Sequence, residues 1–133
     1  MREIIFRGKT TLEGTWVYGD LNQFSDGRKC IVDSEMDWCR VDPETVGQYT
    51  GLKDRNGKRI FEGDVVVYDN SPYNVYCTPI SGVIVWRNGS LCFKYIEYGS
   101  AFYRPLCTDD FFASKCEVIG NIYDNPAGGT ENA

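Results

Sequence analysis

The 133-residue sequence predicts a mainly β fold built from short antiparallel strands. Turn-forming dipeptides recur from end to end, and the short segments between them are rich in Val, Ile, Phe, Tyr and Trp, as is typical of all-β proteins. Two of these turns, at 56–57 and 88–89, are Asn-Gly pairs, the strongest local signal for a β-hairpin. We therefore expect strands at residues 3–8, 15–23, 28–33, 48–53, 58–61, 64–69, 80–87, 90–97, 101–105 and 115–123.

The segment from Val41 to Val66 contains the clearest local signals. Asp42-Pro43-Glu44 predicts a helix start, with Asp as N-cap, Pro at the first helical position and an acid in the first turn. The residues that follow are poor helix formers, so we expect a single turn before the chain extends. Asn56-Gly57 predicts a type I′ turn between two strands, and Glu62-Gly63-Asp64 predicts a tight corner.

The second half of the chain repeats this pattern. A hairpin is expected around Asn88-Gly89, with Leu91, Phe93 and Tyr95 facing the core because they alternate with less apolar neighbours. Residues 108–114 predict a short helix capped by Thr108. Its two acids, Asp109 and Asp110, fit the positive end of that helix, and an acid or metal site is the alternative.

Residues 44–66, ETVGQYTGLKDRNGKRIFEGDVV, resemble the signature of the YopX family, small proteins encoded by phages and prophages. Residues 2–9, 16–21 and 118–126 resemble the opening and the close of the same family, so the resemblance covers nearly the whole chain and is weakest over 69–115. It implies a small SH3-like β barrel or roll, here with an N-terminal β-hairpin extension, and it implies nothing about catalysis. We predict a single domain over residues 1–125 and a loose tail over 126–133.

The cysteine content and the lack of a recognisable signal peptide indicate an intracellular protein. The six cysteines have no signal peptide before them, so we expect the cytoplasm of the bacterial host and thiols that are mostly buried. Cys30, Cys39 and Cys77 are the candidates for exposed, oxidisable thiols. Since no two cysteines stand two to four residues apart and histidine is absent, we predict neither a metal site nor a cofactor. No apolar run is long enough to span a bilayer, so we expect a soluble protein without membrane contact.

The net charge of -5 disfavours nucleic-acid binding, which depends on neutralising phosphates. One basic cluster keeps a small nucleic-acid-binding barrel as an alternative hypothesis. It consists of Lys53, Arg55, Lys58 and Arg59, together with Tyr49.

The missing histidine also disfavours an enzyme, because it removes the usual general base and the Ser-His and Cys-His dyads. Gly19-Asp20 and Gly63-Asp64 both follow an aromatic-containing segment, and we interpret both as tight corners in which Asp binds backbone amides. A carboxylate-based hydrolase remains an alternative. Its candidate acids are Asp20, Asp64, Asp109 and Asp110.

The leading hypothesis is a non-enzymatic phage accessory protein that works through protein contacts as a homo-oligomer. Its protein partner is not identified by the sequence. The candidate interaction surface consists of Gln48, Tyr49, Lys53, Arg55, Glu62 and Asp64. We also expect exposure of some aromatic residues in segments without clean alternation, where they would contact loops, a second subunit or a peptide. These are Trp38, Tyr73, Tyr76, Tyr98, Phe102 and Tyr103.

Overall fold

The computed structural model describes residues 3–69, 79–106 and 110–124. Within them the chain forms eleven strands, a 3-10 turn over Pro43–Thr45 and a short helix, α1, over Asp110–Ala113. The strands are β1 Phe6–Lys9, β2 Trp16–Gln23, β3 Lys29–Val32, β4 Trp38–Val41, β5 Gly47–Lys53, β6 Arg59–Phe61, β7 Asp64–Tyr68, β8 Ile80–Arg87, β9 Ser90–Glu97, β10 Ser100–Pro105 and β11 Cys116–Asn121. The chain divides into two compact units, residues 1–49 and 50–133.

The mainly β prediction is confirmed, and each of the ten expected strands has a counterpart. One strand, β4, was missed, because it is only four residues long and follows the polar stretch 33–37. The expected closed barrel is not found: among the described residues the strands form two open antiparallel sheets. The SH3-like assignment is not confirmed, and the single domain over 1–125 stays a prediction. The tail, 126–133, lies outside the described residues.

In the first unit, β4, β3, β2, β1 and β5 lie side by side in that order. The N-terminal region therefore forms several paired strands, whereas the sequence predicted a single hairpin. Ile31 and Val41 are almost completely buried there. Gly19 lies within β2, opposite Phe6, and a Cβ at this position would lie 2.0 Å from the carbonyl oxygen of Val32. Only glycine fits this close approach, so the Gly19-Asp20 pair is not the tight corner that the sequence predicted.

The helical turn that the sequence predicted after Val41 is confirmed. Asp42 is its N-cap and accepts a hydrogen bond from the Glu44 amide at 3.1 Å, with Pro43 in the first position. Val46 returns to an extended conformation, and β5 begins at the next residue. This strand runs into the second unit, where β6 is its neighbour.

In the second unit, a five-stranded sheet has the order β10-β9-β8-β7-β11. Its buried core includes Leu91 and Phe93, with Tyr95 packed against it, so the predicted inward face of β9 is confirmed. The remaining buried members of this core are Leu52, Ile60, Val66, Ile84, Leu106, Phe112, Ala113 and Cys116.

The two Asn-Gly turns differ. Asn88 and Gly89 both have positive φ, 52° and 83°, and the flanking residues Arg87 and Ser90 are paired, as a type I′ hairpin requires. Gly57 has φ of 81°, whereas Asn56 is not among the described residues with positive φ. The type I′ prediction at 56–57 is therefore wrong, although the hairpin forms.

The predicted helix at 108–114 is confirmed in part, as α1. Thr108 and Asp109 lie outside the described residues, so the proposed cap and the proposed acid pair are not described.

Candidate interaction surface

Asp54 explains the unexpected turn at 54–57. Its carboxylate is buried, and Oδ1 accepts hydrogen bonds from the amides of Asn56 at 2.9 Å and Lys58 at 2.8 Å. The Gly57 amide donates to the Asp54 carbonyl at 3.0 Å, which places Arg55 and Asn56 at the centre of the turn. A side chain that binds its own turn in this way favours the αR region at the following residues and leaves only glycine with positive φ.

The same carboxylate joins the hairpin to β11. Asp54 Oδ2 accepts the Val118 amide at 2.9 Å, and the Arg55 amide donates to the Cys116 carbonyl at 2.9 Å. The Arg55 guanidinium also pairs with Glu117, with Nη2 2.6 Å from Oε1. The hairpin is thus bound along the outer edge of β11.

The basic cluster lies on this hairpin. The side chains of Lys53, Arg55, Lys58 and Arg59 are all exposed. Because Arg55 is paired with an acid and Asp54 lies among them, the hairpin carries mixed charge rather than a purely positive surface. Tyr49, the aromatic partner suggested for nucleic-acid stacking, is buried, and its amide donates to the Ile5 carbonyl at 2.8 Å.

Hydrogen bonds connect the Glu62-Gly63-Asp64 corner to neighbouring segments of the fold. Asp64 is buried, and its Oδ2 accepts the Phe61 amide at 2.7 Å. Gly63 has φ of 90°, its amide donates to the Ile84 carbonyl at 2.8 Å, and its carbonyl accepts the Ile122 amide at 3.0 Å. Glu62 accepts the Trp86 indole N–H at 3.1 Å. The predicted corner is therefore confirmed here.

The six residues predicted as an interaction surface have different environments. Tyr49 and Asp64 are buried and hold the fold together, so neither is available to a partner. Gln48 and Glu62 are half-buried, and Lys53 and Arg55 are exposed. The described contacts give Asp54, Glu62 and Asp64 of this segment structural roles.

A different surface is rich in exposed apolar side chains. At the tip of the β9–β10 hairpin, the exposed fractions are 64% for Ile96, 93% for Tyr98 and 42% for Phe102. We call these three residues the hairpin surface. Ile96 and Phe102 lie on opposite faces of the hairpin, because Phe102 is paired with Tyr95, the neighbour of Ile96 in β9. Tyr98 and Phe102 were among the aromatic residues expected to be exposed, whereas Ile96 was not identified. The sequence signal for Ile96 was the Tyr98-Gly99 pair, which forms the turn just after β9 and so places Ile96 near the end of the strand. In the structure the two turn residues have φ of 53° and 76°.

One flank of the hairpin surface continues into an apolar depression. It has a volume of about 550 Å³ and lies on the face of the sheet opposite the core. Ile96 lines it together with Val65, Val83, Val85 and Ile122, and Lys94 is its charged member. The apolar area around Ile96 is therefore larger than the single side chain.

The described cysteines are all free thiols. Cys92 and Cys116 are buried, as expected for cysteines that act as small apolar residues, and Cys30 and Cys39 are half-buried. Burial raises the pKa of the Cys116 thiol to about 12. Burial, together with the Asp33 and Asp37 carboxylates, also raises the pKa of Cys39. Both shifts disfavour the reactive thiolate. Cys77 lies outside the described residues.

The acids suggested for hydrolysis do not gather in a described site. Asp20 is exposed in β2, Asp64 is buried at its corner, and Asp109 lies outside the described residues; of Asp110 the structure gives only its place in α1. Over residues 3–69, 79–106 and 110–124, no group of three or more Cys, Asp or Glu side chains is placed to hold a metal ion. The same residues include no helix long and apolar enough to cross a membrane.

Comparison with known proteins agrees with this fold. No curated protein matches the chain. A solved structure, that of protein EF1440 from Enterococcus faecalis, is similar with a TM-score of 0.57 and 23% identity, covering 95% of this chain and 97% of the other. The family profile described as YopX protein matches residues 5–127, nearly the whole sequence. The chain therefore belongs to the YopX family.

Proposed function

We propose that this protein is a non-enzymatic phage accessory protein that acts by binding other proteins, and that the hairpin surface is the site of contact. One observation carries the proposal: Ile96, Tyr98 and Phe102, all large and apolar, are exposed on one hairpin. Exposed apolar residues that occur singly are common, but Ile96 is continuous with an apolar depression, and an apolar area of this kind marks a contact site.

The conformation of Tyr98 supports the same surface. Its φ of 53° is unfavourable for an aromatic residue, and Asn or Gly is the usual choice at this position of a type I′ turn. A strained residue that is also 93% exposed makes little packing contribution to offset its strain. Strain of this kind is concentrated at functional positions. We infer that Tyr98 is retained for contact with a partner.

The environments of the other candidate residues favour protein binding over the two alternatives. The exposed basic hairpin includes an Arg55–Glu117 pair, and the net charge of -5 opposes phosphate binding. The Asp64 carboxylate is buried and accepts a backbone amide, which suits a structural role better than acid-base chemistry.

The test is affinity capture from phage-infected or lysogenic cells. The wild-type protein, Tyr98→Ser and Leu12→Ser are compared, and retained proteins are identified by mass spectrometry. Leu12 is the matched control because it is also apolar and 96% exposed but belongs to the first unit. We expect wild type and Leu12→Ser to retain the same protein, and Tyr98→Ser to lose most of it.

Two results would contradict the proposal. One is a wild-type protein that retains nothing but itself and is monomeric in light scattering. The other is a partner retained equally by all three variants, which would place the contact elsewhere on the molecule.

A further inference from the structure

We propose that two copies of this chain pair antiparallel through β10, with the two-fold axis at Phe102. This inference rests on the proposed function and names a second copy as one partner of the hairpin surface. It begins with the position of β10, the outermost strand of the second sheet, whose described pairing is with β9 alone. Five of its six residues are exposed, Tyr103 being the exception.

The two edges of this sheet are treated differently. At the other edge, β11, the hairpin of residues 54–58 binds the Cys116 carbonyl and the Val118 amide, and the strand has an irregularity between Val118 and Gly120. Bound loops and bulges of this kind prevent a sheet edge from pairing with another chain. The first four residues of β10 have no charged side chain, proline or bulge. Within the described part of the chain, β11 is thus covered, whereas residues 100–103 of β10 can add a strand.

The direction of each backbone group on β10 follows from two observations. The Leu106 amide donates to the Leu91 carbonyl at 3.0 Å, and a two-residue type I′ turn makes Ser100 and Glu97 a hydrogen-bonded pair. Since hydrogen-bonded positions alternate along an antiparallel strand, the even-numbered residues of β10 bind β9. The odd-numbered residues, Ala101, Tyr103 and Pro105, direct their backbone groups outward. Pro105 agrees with this assignment because it has no N–H to give to β9.

The outward groups select one register for a symmetric pair. With the axis at Phe102, Ala101 of each copy lies opposite Tyr103 of the other, and the two pairs exchange four hydrogen bonds. An axis at Tyr103 would instead place Ala101 opposite Pro105, whose missing N–H leaves the Ala101 carbonyl without a donor in both copies. An axis at Ala101 would place Tyr103 opposite Gly99, which belongs to the turn, so that only the central pair could form.

The side chains also fit this register. Phe102 stacks on Tyr95 with ring centroids 5.6 Å apart, and on the axis its exposed part would meet Phe102 of the second copy. Arg104 of the second copy would lie opposite Ser100, which is itself opposite Glu97. An arginine and a glutamate would then be two strands apart, about 10 Å between backbones and within reach of the arginine side chain. The Arg104 guanidinium lies 4.4 Å from the centre of the Phe112 ring of its own chain, so the register brings the two charges near each other but does not depend on their pairing.

The test uses cysteine cross-linking at the axis. Residues directly opposite each other in a non-hydrogen-bonded pair are about 4.5 Å apart at Cα, a separation that a disulfide can bridge. We expect Phe102→Cys to form a covalent dimer on mild oxidation, above the background that the native cysteines give in the wild-type protein. Ser100→Cys is the control, because its two copies would be about 13 Å apart along the strand and should not cross-link above that background.

A second pair of variants tests the pairing without cysteine. Ala101→Pro removes an outward N–H and is compatible with an edge strand, whereas Ala101→Ser keeps the N–H. Because one strand pair makes a small interface, light scattering is measured from about 10 μM to about 1 mM protein. We expect wild type and Ala101→Ser to dimerise with rising concentration and Ala101→Pro, with unchanged circular dichroism, to stay monomeric.

Each other outcome decides against this pairing. A wild-type protein that is monomeric throughout this range overturns it, as does a dimer that persists in Ala101→Pro. Equal cross-linking of Phe102→Cys and Ser100→Cys overturns the register. Capture of another protein that depends on Tyr98, by a chain that stays monomeric, would support the proposed function while overturning the self-pairing.

Discussion

At the scale of single residues, two buried carboxylates and one glycine of the segment 54–64 hold neighbouring backbone together. Asp54, Asp64 and Gly63 each bind amides or carbonyls of neighbouring segments. A carboxylate that accepts backbone amides is a strong hydrogen-bond acceptor, and its loss leaves those amides unsatisfied. These contacts account for Asp54, Gly63 and Asp64 in this segment.

Gly63→Ala should destabilise the protein more than Gly57→Ala. Both glycines have positive φ, which costs a residue with a Cβ about 1–2 kcal/mol. At Gly57 the added Cβ has open space, whereas at Gly63 it would lie 2.9 Å from the Tyr123 ring. Urea unfolding of the two variants measures the difference. Equal losses would mean that the Tyr123 ring moves aside without cost.

At this scale, features that depend on neighbouring residues were predictable from the sequence. The cap at Asp42 and the corner at Gly63 were predictable, because each depends on residues within a few positions. The turn at Asn56-Gly57 was predicted with the wrong geometry, because Asp54 takes part in its own turn and also binds Val118, 64 residues away. The pairing of Arg55 with Glu117 had no local signal either.

At the scale of elements, the β5–β6 hairpin and the β9–β10 hairpin have opposite roles. The first is bound to β11 by backbone and side-chain contacts, and its own turn is held by a buried carboxylate. The second has an exposed, strained turn and an edge strand. Strand positions were predictable from β-rich segments between turn signals, but which hairpin would be covered depended on contacts distant in sequence.

Asp54→Ala should loosen the edge of β11. Three backbone amides would lose their acceptor, and we expect a loss of about 2–4 kcal/mol in the free energy of unfolding. Asp54→Asn keeps one carbonyl oxygen and should lose less. Hydrogen exchange at the Val118 amide gives the local readout, and it should quicken in both variants. An unchanged exchange rate at Val118 would show that this contact does not protect the edge.

Tyr98→Asn should stabilise the β9–β10 hairpin while weakening partner capture. Asn tolerates positive φ better than Tyr, so we expect a gain of about 0.5–1 kcal/mol and a higher Tm. Tyr98→Ala is the matched variant, because it removes the ring but keeps the strain; it should weaken capture without the gain in Tm. A Tm lowered by Tyr98→Asn would mean that the ring packs against the fold and would remove this argument for a functional role.

At the scale of the whole molecule, the amino-acid composition limits which groups can change charge near neutral pH. The acidic sequence has no histidine, so the pH dependence of its stability near neutrality depends on few groups. The family was predictable from the sequence, since the matching residues are spread over most of the chain. The division into two open sheets was not, because sheet closure depends on how terminal strands pair and not on where strands begin and end.

Cys116 should make the protein less stable at alkaline pH. Burial raises the pKa of its thiol from 9.0 to about 12, so the folded chain retains a proton that the unfolded chain releases between these values. Stability is then full below pH 9 and falls as the pH rises towards 12, by up to about 4 kcal/mol from this group. Urea unfolding at pH 8, 9, 10 and 11 measures this loss of stability.

Cys116→Ala isolates this contribution from those of lysine and tyrosine residues, which titrate in the same range. At pH 8 the variant should be less stable than wild type because it leaves a small cavity. The difference should shrink as the pH rises. A difference that stays constant from pH 8 to pH 11 would show that the Cys116 thiol ionises equally in the folded and unfolded chains.

The hairpin bound along β11 has a consequence for how far the protein can polymerise. A sheet with two open edges can recruit copies at both ends and grow into a fibre, as happens in amyloid. Here Asp54 and Arg55 occupy backbone groups of β11, so of the two edges of the second sheet, as far as the structure describes them, β10 is the one that can add a strand. If two copies meet there around a two-fold axis, both ends of the joined sheet are β11 strands, and that sheet has no β10 edge left for a third copy.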